Sequence, residues 1–180
     1  MRKVGQALGV EAMSLYNHVG KKDELLAGMV DLVAGEFERA SAAGSWKDNL
    51  RSTAISVHQT LLRHRWVAGL WWRSGGGEER MEYGDSLLRT FREAGFSPDL
   101  TYHAYHAFEG YVVGYTLQIV NLDMDDERIA EMADWFLRSF PSERYPDLAE
   151  HVRQHMEPHD DGNPFELGLD LILDGLERLR

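Results

Sequence analysis

The chain has no cysteine among its 180 residues, which removes both a disulfide framework and a thiolate metal site. No apolar run approaches the roughly 18 residues that a spanning helix needs. The N-terminus lacks the continuous apolar segment of a signal peptide, so a cytoplasmic location is expected. Sustained alternation of apolar and polar residues between turn signals is missing, which argues against strands. Positive charge is scarce: 19 Lys and Arg stand against 30 Asp and Glu, a formal net charge of -11. That balance argues against a protein that binds nucleic acid over its whole surface. Catalytic signatures are thin as well. "SGGGEER" (74–80) lacks the Lys-Ser/Thr ending of a phosphate loop, and there is no nucleophile elbow.

What is present is helical periodicity along most of the chain. With 43% hydrophobic and 27% charged residues, this is ordinary globular composition, enough for one domain or a small module plus a larger one. Val4, Ala7 and Leu8 make a short apolar face that Gly9 ends as a left-handed cap. Met13, Leu15, Tyr16 and Val19 suggest a second short helix. Leu25, Leu26, Met29, Val30, Leu32 and Val33 suggest a third, running on toward Phe37. Ser45 is placed to cap a helix that continues through about His64. A glycine-rich loop at 73–80 precedes a helix from Met81 to Ala94, which Gly95 ends. Ser97 as N-cap, Pro98 at the first position and Asp99 near the positive end then start a long helix through Ile119. A shorter helix at about 126–138, a loop at 155–164 and a last helix at 165–180 complete the expectation. The expected fold is all-α, a helix-turn-helix followed by a helical bundle.

Charge is unevenly placed. Residues 1–22 carry Arg2, Lys3, Lys21 and Lys22 against Glu11, a balance of +3, which leaves -14 for the rest of the chain. A small basic head can still engage DNA, because salt confines electrostatic attraction to short distances. In "RKVGQALGVEAMSLYNHVGKK", Gly9 makes the turn, and Val10, Leu15 and Val19 are expected to hold the second helix to the body. Ala12, Met13 and Asn17 remain outward. Asn pairs with adenine, and Met or Ala touches a thymine methyl. Ser14, Tyr16, His18 and Lys22 suit phosphate oxygens.

These residues carry a resemblance. "RKVGQALGVEAMSLYNHVGKKDELLAGMVDLV" resembles the DNA-binding domain of the TetR family of transcriptional repressors. "SWKDNLRSTAISVHQTLLRHRW", "LLRTFREAGFSPD" and "FELGLDLILDGLERL" are similar, in order and spacing, to its tetracycline-repressor-like subclass. The resemblance implies a DNA-binding domain at 1–38 and a ligand-binding and dimerisation domain at 39–180. It implies a homodimer that reads a palindromic operator and is released by a small molecule. It makes Arg2, Ala12, Met13 and Asn17 base-proximal, and Ser14, Tyr16, His18 and Lys22 phosphate contacts. The family has a further helix ahead of the position of Met1; without it, Val4, Leu8 and Val19 lack a packing partner, and a loose head with weak DNA binding is expected.

The acidic body is rich in aromatics, among them Trp66, Trp71, Trp72, Phe91, Phe96, Tyr102, Tyr105, Phe108, Tyr111 and Tyr115. Such residues fill cores, and they also wall cavities for organic ligands. The resemblance places a pocket near Thr53, Val57, Trp71, Leu87, His103, His106 and Gln118; Trp72, Tyr102, Tyr105 and Glu109 extend the candidate lining. Where tetracycline repressors hold the drug-bound magnesium through a histidine, this chain has Trp71. Drug contacts made by Asn and Gln fall on Thr53 and Leu87, and a carboxylate near the metal's water falls on Gln118. A tetracycline–magnesium complex is therefore not the expected effector; a flat, largely apolar or aromatic molecule is. No cofactor or metal is expected.

The last helix shows Phe165, Leu169, Ile172, Leu176 and Leu179 on one side, with Leu167, Leu171 and Leu173 adding another. Gly110 and Gly114 lie one turn apart and would admit a second helix. The expected two-fold dimer uses Gly110, Gly114, Phe165, Leu169, Ile172 and Leu176. An enzyme is not expected. His151, His155 and His159 with Asp160 and Asp161 have partial metal spacing, but Pro158 interrupts them and no Glu adjoins the first His. Glu109 is a lone carboxylate with no partner identifiable in the sequence. The alternative function is a small-molecule-binding or sequestering protein of the same fold without operator binding.

Overall fold

The computed structural model describes residues 1–40, 44–122, 126–156 and 162–180; among the described residues it is all helical, with no strand. It divides into two compact units. One comprises Met1–Val120 and Leu169–Arg180, the other Asn121–Gly168.

The first unit opens with α1 (Arg2–Leu8) and α2 (Ala12–Leu15). Gly9 ends α1 at φ +67°, and its amide returns to the Gln6 and Gly5 carbonyls. Gly5 is the closest point of the turn: a Cβ there would lie 2.8 Å from the Val10 carbonyl oxygen. Val10, expected to hold α2 down, is 45% exposed; Leu15 and Val19 are half-buried. Val4 and Leu8 are exposed too. The third helix, α3 (Lys22–Ala34), stops short of Phe37. Glu36 and Phe37 continue as a turn from Val33 and Ala34, and Phe37 is buried all the same.

Four further helices surround the core: α4 (Trp46–Arg63), α5 (Arg65–Ala68), α6 (Glu78–Glu93) and α7 (Pro98–Leu122). Ser45 Oγ accepts from the Asp48 amide at 3.1 Å, and Ser97 Oγ from the Leu100 amide at 3.1 Å, so both serine caps form as their sequences dictate. Gly95, at φ +90°, ends α6. Leu50, Ala54, Val57 and Leu61 of α4, Leu87 and Phe91 of α6, and Ala104, Phe108 and Val112 of α7 are fully buried. Each large side chain removed from water contributes about 1.5–3 kcal/mol. Phe91 packs at a tilt against Phe96 at 5.2 Å and meets Phe108 edge-on at 6.3 Å.

The last helix, α10 (Pro164–Leu179), corrects the expected faces. Phe165, Leu169, Leu173 and Leu176 are buried within the subunit, whereas Leu167, Leu171 and Leu179 are exposed. A repeat of 3.6 residues puts Leu173 with Leu169 and Leu176, and turns Leu179 outward. Phe165, Leu169 and Leu176 therefore do not form the dimer face expected of them; their own chain covers them. Ile172 is half-buried. Gly110 and Gly114 are exposed on α7, and a Cβ on either would meet nothing within 4 Å, so they relieve no crowding inside the subunit. Arg51 pairs with Asp170 at 2.9 Å, and Lys47 with Asp174 and Glu177.

In the second unit, α8 (Asp126–Ser139) packs on α9 (Pro146–Gln154). Phe136 stacks on Phe140 at 4.6 Å, and Phe140 lies tilted against Tyr145 at 5.2 Å. α9 falls between the helix expected at 126–138 and the loop expected at 155–164, and Pro146 sits at its first turn as helix starts favour. The His151 and His155 rings meet edge-on at 5.0 Å. His159, Asp160 and Asp161 lie outside the described residues.

Candidate functional site

A cavity of about 150 Å³ is lined by Trp71, Trp72, Gly76, Arg80, Met81, Tyr83, Tyr105 and Glu109. A run of turns from Val67 to Ser74 carries both tryptophans into place. Trp71 is 2% exposed and packs on Phe37 at 5.5 Å and edge-on to Tyr83 at 6.0 Å. The Arg80 guanidinium lies 4.4 Å over the Trp71 ring, a favourable placement for a cation on an indole. Its nitrogens donate to the carbonyls of Ser74 and Gly75 at 2.9 Å and of Trp71 at 2.6 Å. Arg80 thus pins the loop that shapes the cavity.

Glu109 reaches this space from α7 and is 1% exposed. The Trp71 indole N–H donates to it across 3.3 Å. Burial raises the Glu109 carboxyl above its ordinary range, while Trp71, Tyr83 and the Arg80 charge pull it back. Tyr83 is fully buried, and burial, then the nearby Glu109 charge, pushes its hydroxyl well up. The Tyr83 hydroxyl and the Glu109 carboxyl interact directly, and that contact helps to hold the Glu109 carboxyl down. A larger recess of about 580 Å³ lies beside Arg39, Met81, Glu82, Asp85, Ser86 and Arg89. Its wall is charged and without aromatic faces, so the smaller cavity is the better organic-ligand site.

The raised Glu109 carboxyl has a measurable consequence. Folding favours its protonated form, so the associated stability is complete below about pH 4.5 and is lost as pH rises through the folded-state value. Glu109→Gln is expected to raise the melting temperature by a few degrees at pH 8, where about 1 kcal/mol corresponds to roughly 2–4 °C. The gain should shrink toward pH 4.5. Thermal melts across that range check it; a pH-independent difference would contradict it.

Within the packing of α3 on α6, one side chain of α3 reaches the start of α6 directly. The N-cap position of α6 is Gly77, and no side chain of its own caps that helix. Asp31 of α3 does so instead: its Oδ1 accepts from the Arg80 amide at 3.0 Å and its Oδ2 from the Glu79 amide at 3.4 Å. Glycine at position 77 leaves room for this contact, since a Cβ would stand 2.1 Å from the Asp31 carboxyl carbon and displace the carboxylate. Three further contacts hold the segment after α3. Arg39 pairs with Glu79 at 2.6 Å, and Glu36 with Arg63 at 3.2 Å and His64 at 2.9 Å.

A family model described as "Tetracyclin repressor-like, C-terminal domain" matches residues 40–180. The chain belongs to the TetR family of transcriptional regulators. Over 179 residues it is 30% identical to the tetracycline repressor protein class D of Escherichia coli, covering 98% of this chain and 78% of that one. It is also 30% identical, over 190 residues, to the transcriptional repressor DrrR1 of Streptomyces coeruleorubidus, with 99% and 70% coverage. Among solved structures, the TetR-family protein ActR of Streptomyces coelicolor in complex with actinorhodin superposes with a TM-score of 0.82 at 26% identity, over 99% of this chain and 86% of that one.

Within this TetR-family frame, the structure brings Trp71, Trp72, Tyr105 and Glu109 together on the cavity. Thr53, Val57 and Leu87 are buried but do not line it. Tyr102, His103, His106 and Gln118 are exposed; the Tyr102 and His106 rings meet edge-on at 4.5 Å. Sequence reasoning missed Arg80, Met81, Tyr83 and Asp31, none of which belongs to a motif. In the head, Arg2, Met13, Tyr16, Asn17, His18 and Lys22 are exposed, and Ala12 and Ser14 are half-buried. The Ser14 hydroxyl donates to the Glu11 carbonyl at 2.7 Å, which leaves its oxygen free to accept.

Proposed function

We propose that this chain is a homodimeric repressor that leaves a palindromic operator when a small, largely apolar or aromatic effector enters the cavity beside Trp71. The observation that carries the reading is the contact between Asp31 and the start of α6, because it links the wall of an aromatic cavity to the helix that follows the recognition head. Effector packing against Trp71 or Arg80 shifts the start of α6, and Asp31 passes that shift to α3. The two recognition helices then no longer match half-sites about one DNA turn apart. Such a ligand must bind the DNA-incompetent arrangement more tightly than the competent one.

Several features support the finer parts of this reading. ActR was solved with actinorhodin, and an aromatic-walled cavity suits an aromatic effector here. Trp71 offers no metal ligand where tetracycline–magnesium chemistry needs one, and Leu87 offers no polar contact to the drug, which supports an effector of another kind. The division into 1–38 and 39–180 is consistent with a C-terminal-domain match that begins at residue 40. Exposed Gly110 and Gly114 on α7, with exposed Leu171 and Leu179 on α10, leave a face for a second subunit.

Fluorescence anisotropy on DNA from upstream of the chain's own gene tests the reading, with salt varied. Asn17→Ala is expected to cost about 1–3 kcal/mol on the operator and to relax sequence preference. Lys22→Ala should weaken specific and random DNA alike and lower the salt slope by about 1. Equal affinity for operator and random duplex in the unaltered protein would favour a sequestering protein without operator function.

A further inference from the structure

One charged group on the wall beside Trp71 still has hydrogens to give. A guanidinium carries five N–H donors and no acceptor. Arg80 spends three of them on backbone carbonyls: Nη1 donates to Ser74 and Gly75, and Nη2 to Trp71. The Nε hydrogen and one on Nη2 are left without a protein partner among the described residues, and half-buried Arg80 lines the open pocket. The other charged side chain on this wall is already engaged. Glu109 is buried, accepts from the Trp71 indole and interacts with the Tyr83 hydroxyl. Burial also holds its carboxyl toward the neutral form. The charge that a ligand meets is therefore that of Arg80.

Aromatic surface borders the mouth of the pocket. Trp72 and Met81 are exposed, and Tyr105 is half-buried. Burial raises the Tyr105 hydroxyl and the nearby Arg80 charge opposes that rise, so the two side chains share one space. Arg80 covers a face of the Trp71 ring, which leaves Trp72 and Tyr105 as the surfaces on which a flat ring packs. A carboxylate is the substituent that suits the two remaining hydrogens. It is planar, accepts through both oxygens and forms with a guanidinium short, charge-assisted bonds. Arg80 also stands at a junction, because its backbone amide donates to Asp31 of α3 at 3.0 Å. An anion drawn to its side chain competes with the three loop carbonyls and pulls on the residue that α3 holds.

We infer that this pocket binds a flat aromatic carboxylate, its ring against Trp72 and Tyr105 and its carboxylate on the Arg80 guanidinium. One residue then carries the ligand's charge on its side chain and α3 on its amide. This rests on the pocket being the effector site proposed above and specifies the chemical class that it selects.

The probes are naphthalene-2-carboxylate, the isosteric naphthalene-2-carboxamide, naphthalene, and naphthalen-2-ylmethylammonium as the cation of similar size. Isothermal titration calorimetry on the full chain should rank the carboxylate first, roughly tenfold above the carboxamide, as expected when a hydrogen bond gains a charged partner. The ammonium should bind most weakly. Added salt should narrow the gap between carboxylate and carboxamide. Arg80→Gln should close it, and Arg80→Lys should keep part of it, since the charge stays while the planar fork is lost. Trp72→Ala, at an exposed position, should weaken all three uncharged or anionic probes and leave the carboxylate-to-carboxamide ratio unchanged. Should Arg80→Gln fail to fold, the ranking and its salt dependence in the unaltered protein, with Arg80→Lys, decide the matter. Equal binding of carboxylate and carboxamide, tightest binding of the ammonium, no binding of the carboxylate, or a preference that survives Arg80→Gln would overturn the inference. Operator anisotropy with the same probes separates it from the effector reading. Carboxylate binding in this order without DNA release supports the recognition and removes the effector role. DNA release by the carboxamide or naphthalene, undiminished in Arg80→Gln, keeps the effector role and overturns the recognition.

Discussion

Asp31→Ala is expected to uncouple the two halves of the regulator: effector still binds, and DNA is no longer released. The cap that Asp31 provides is the only side-chain cap on α6 among the described residues, since Gly77 occupies the position where a capping side chain would sit. Removing an N-cap costs about 0.5–2 kcal/mol, and a carboxylate also complements the positive end of a helix. The loss should therefore lower stability modestly while leaving Trp71, Tyr83 and Glu109 in place. The larger effect falls on coupling. Effector–DNA coupling is commonly about 5–150-fold, and in Asp31→Ala it should fall to within about threefold of no effect. Asp31→Asn keeps an acceptor and should retain part of it. Gly77→Ala reaches the same end from the other side, because the added Cβ expels the Asp31 carboxylate. Operator anisotropy with and without effector, beside calorimetric titration of the same effector, reads both quantities. An unchanged ligand response in Asp31→Ala would end the case for this contact as the lever.

What sequence could reveal here was what short-range chemistry decides. Ser45, Ser97, Gly9 and Gly95 were legible as caps because each acts on amides or carbonyls within four residues. Trp71 and Glu109 were legible as candidates because a tryptophan pair and a carboxylate inside an aromatic helix stand out by type. The Asp31 contact was not legible: its partners are 48 and 49 residues away, and nothing in "MVDLV" distinguishes that aspartate from a solvated one. Arg80 and Tyr83 were hidden for the same reason, as their roles arise only when α6 meets α7 and the loop after α5. The error in the faces of α10 is of another kind. Leucines at 167, 169, 171, 173, 176 and 179 fit two stripes almost equally well, and only packing decides which stripe turns inward. In the head, local pattern identified the helices, but exposure of Val4, Leu8 and Val10 depends on what packs against them.

Trp71 carries the second large effect, because four contacts converge on one side chain. It packs against Phe37 and Tyr83, supports the Arg80 guanidinium and donates to Glu109. Trp71→Ala is expected to cost about 3–5 kcal/mol, a fall of roughly 10 °C in melting temperature at this chain length, and to abolish effector binding by opening the cavity wall. Trp71→Phe separates the contributions. It keeps an aromatic plate for Phe37 and Arg80 and removes the indole N–H together with part of the ring, at a smaller packing cost than alanine. Operator affinity without ligand should then stay nearly intact, while effector response changes. Loss of the N–H also lets the Glu109 carboxyl rise further, since that contact is the first of the influences holding it down. A higher folded-state value means stability is lost more steeply as pH rises, so the penalty of Trp71→Phe should grow from pH 5 to pH 8. In a Glu109→Gln background no carboxyl remains to titrate, and that growth should vanish. A double-mutant cycle measured at both pH values isolates the pair. If the penalty is the same at pH 5 and pH 8, the indole N–H does not govern the charge on Glu109, and burial with Arg80 and Tyr83 alone sets it.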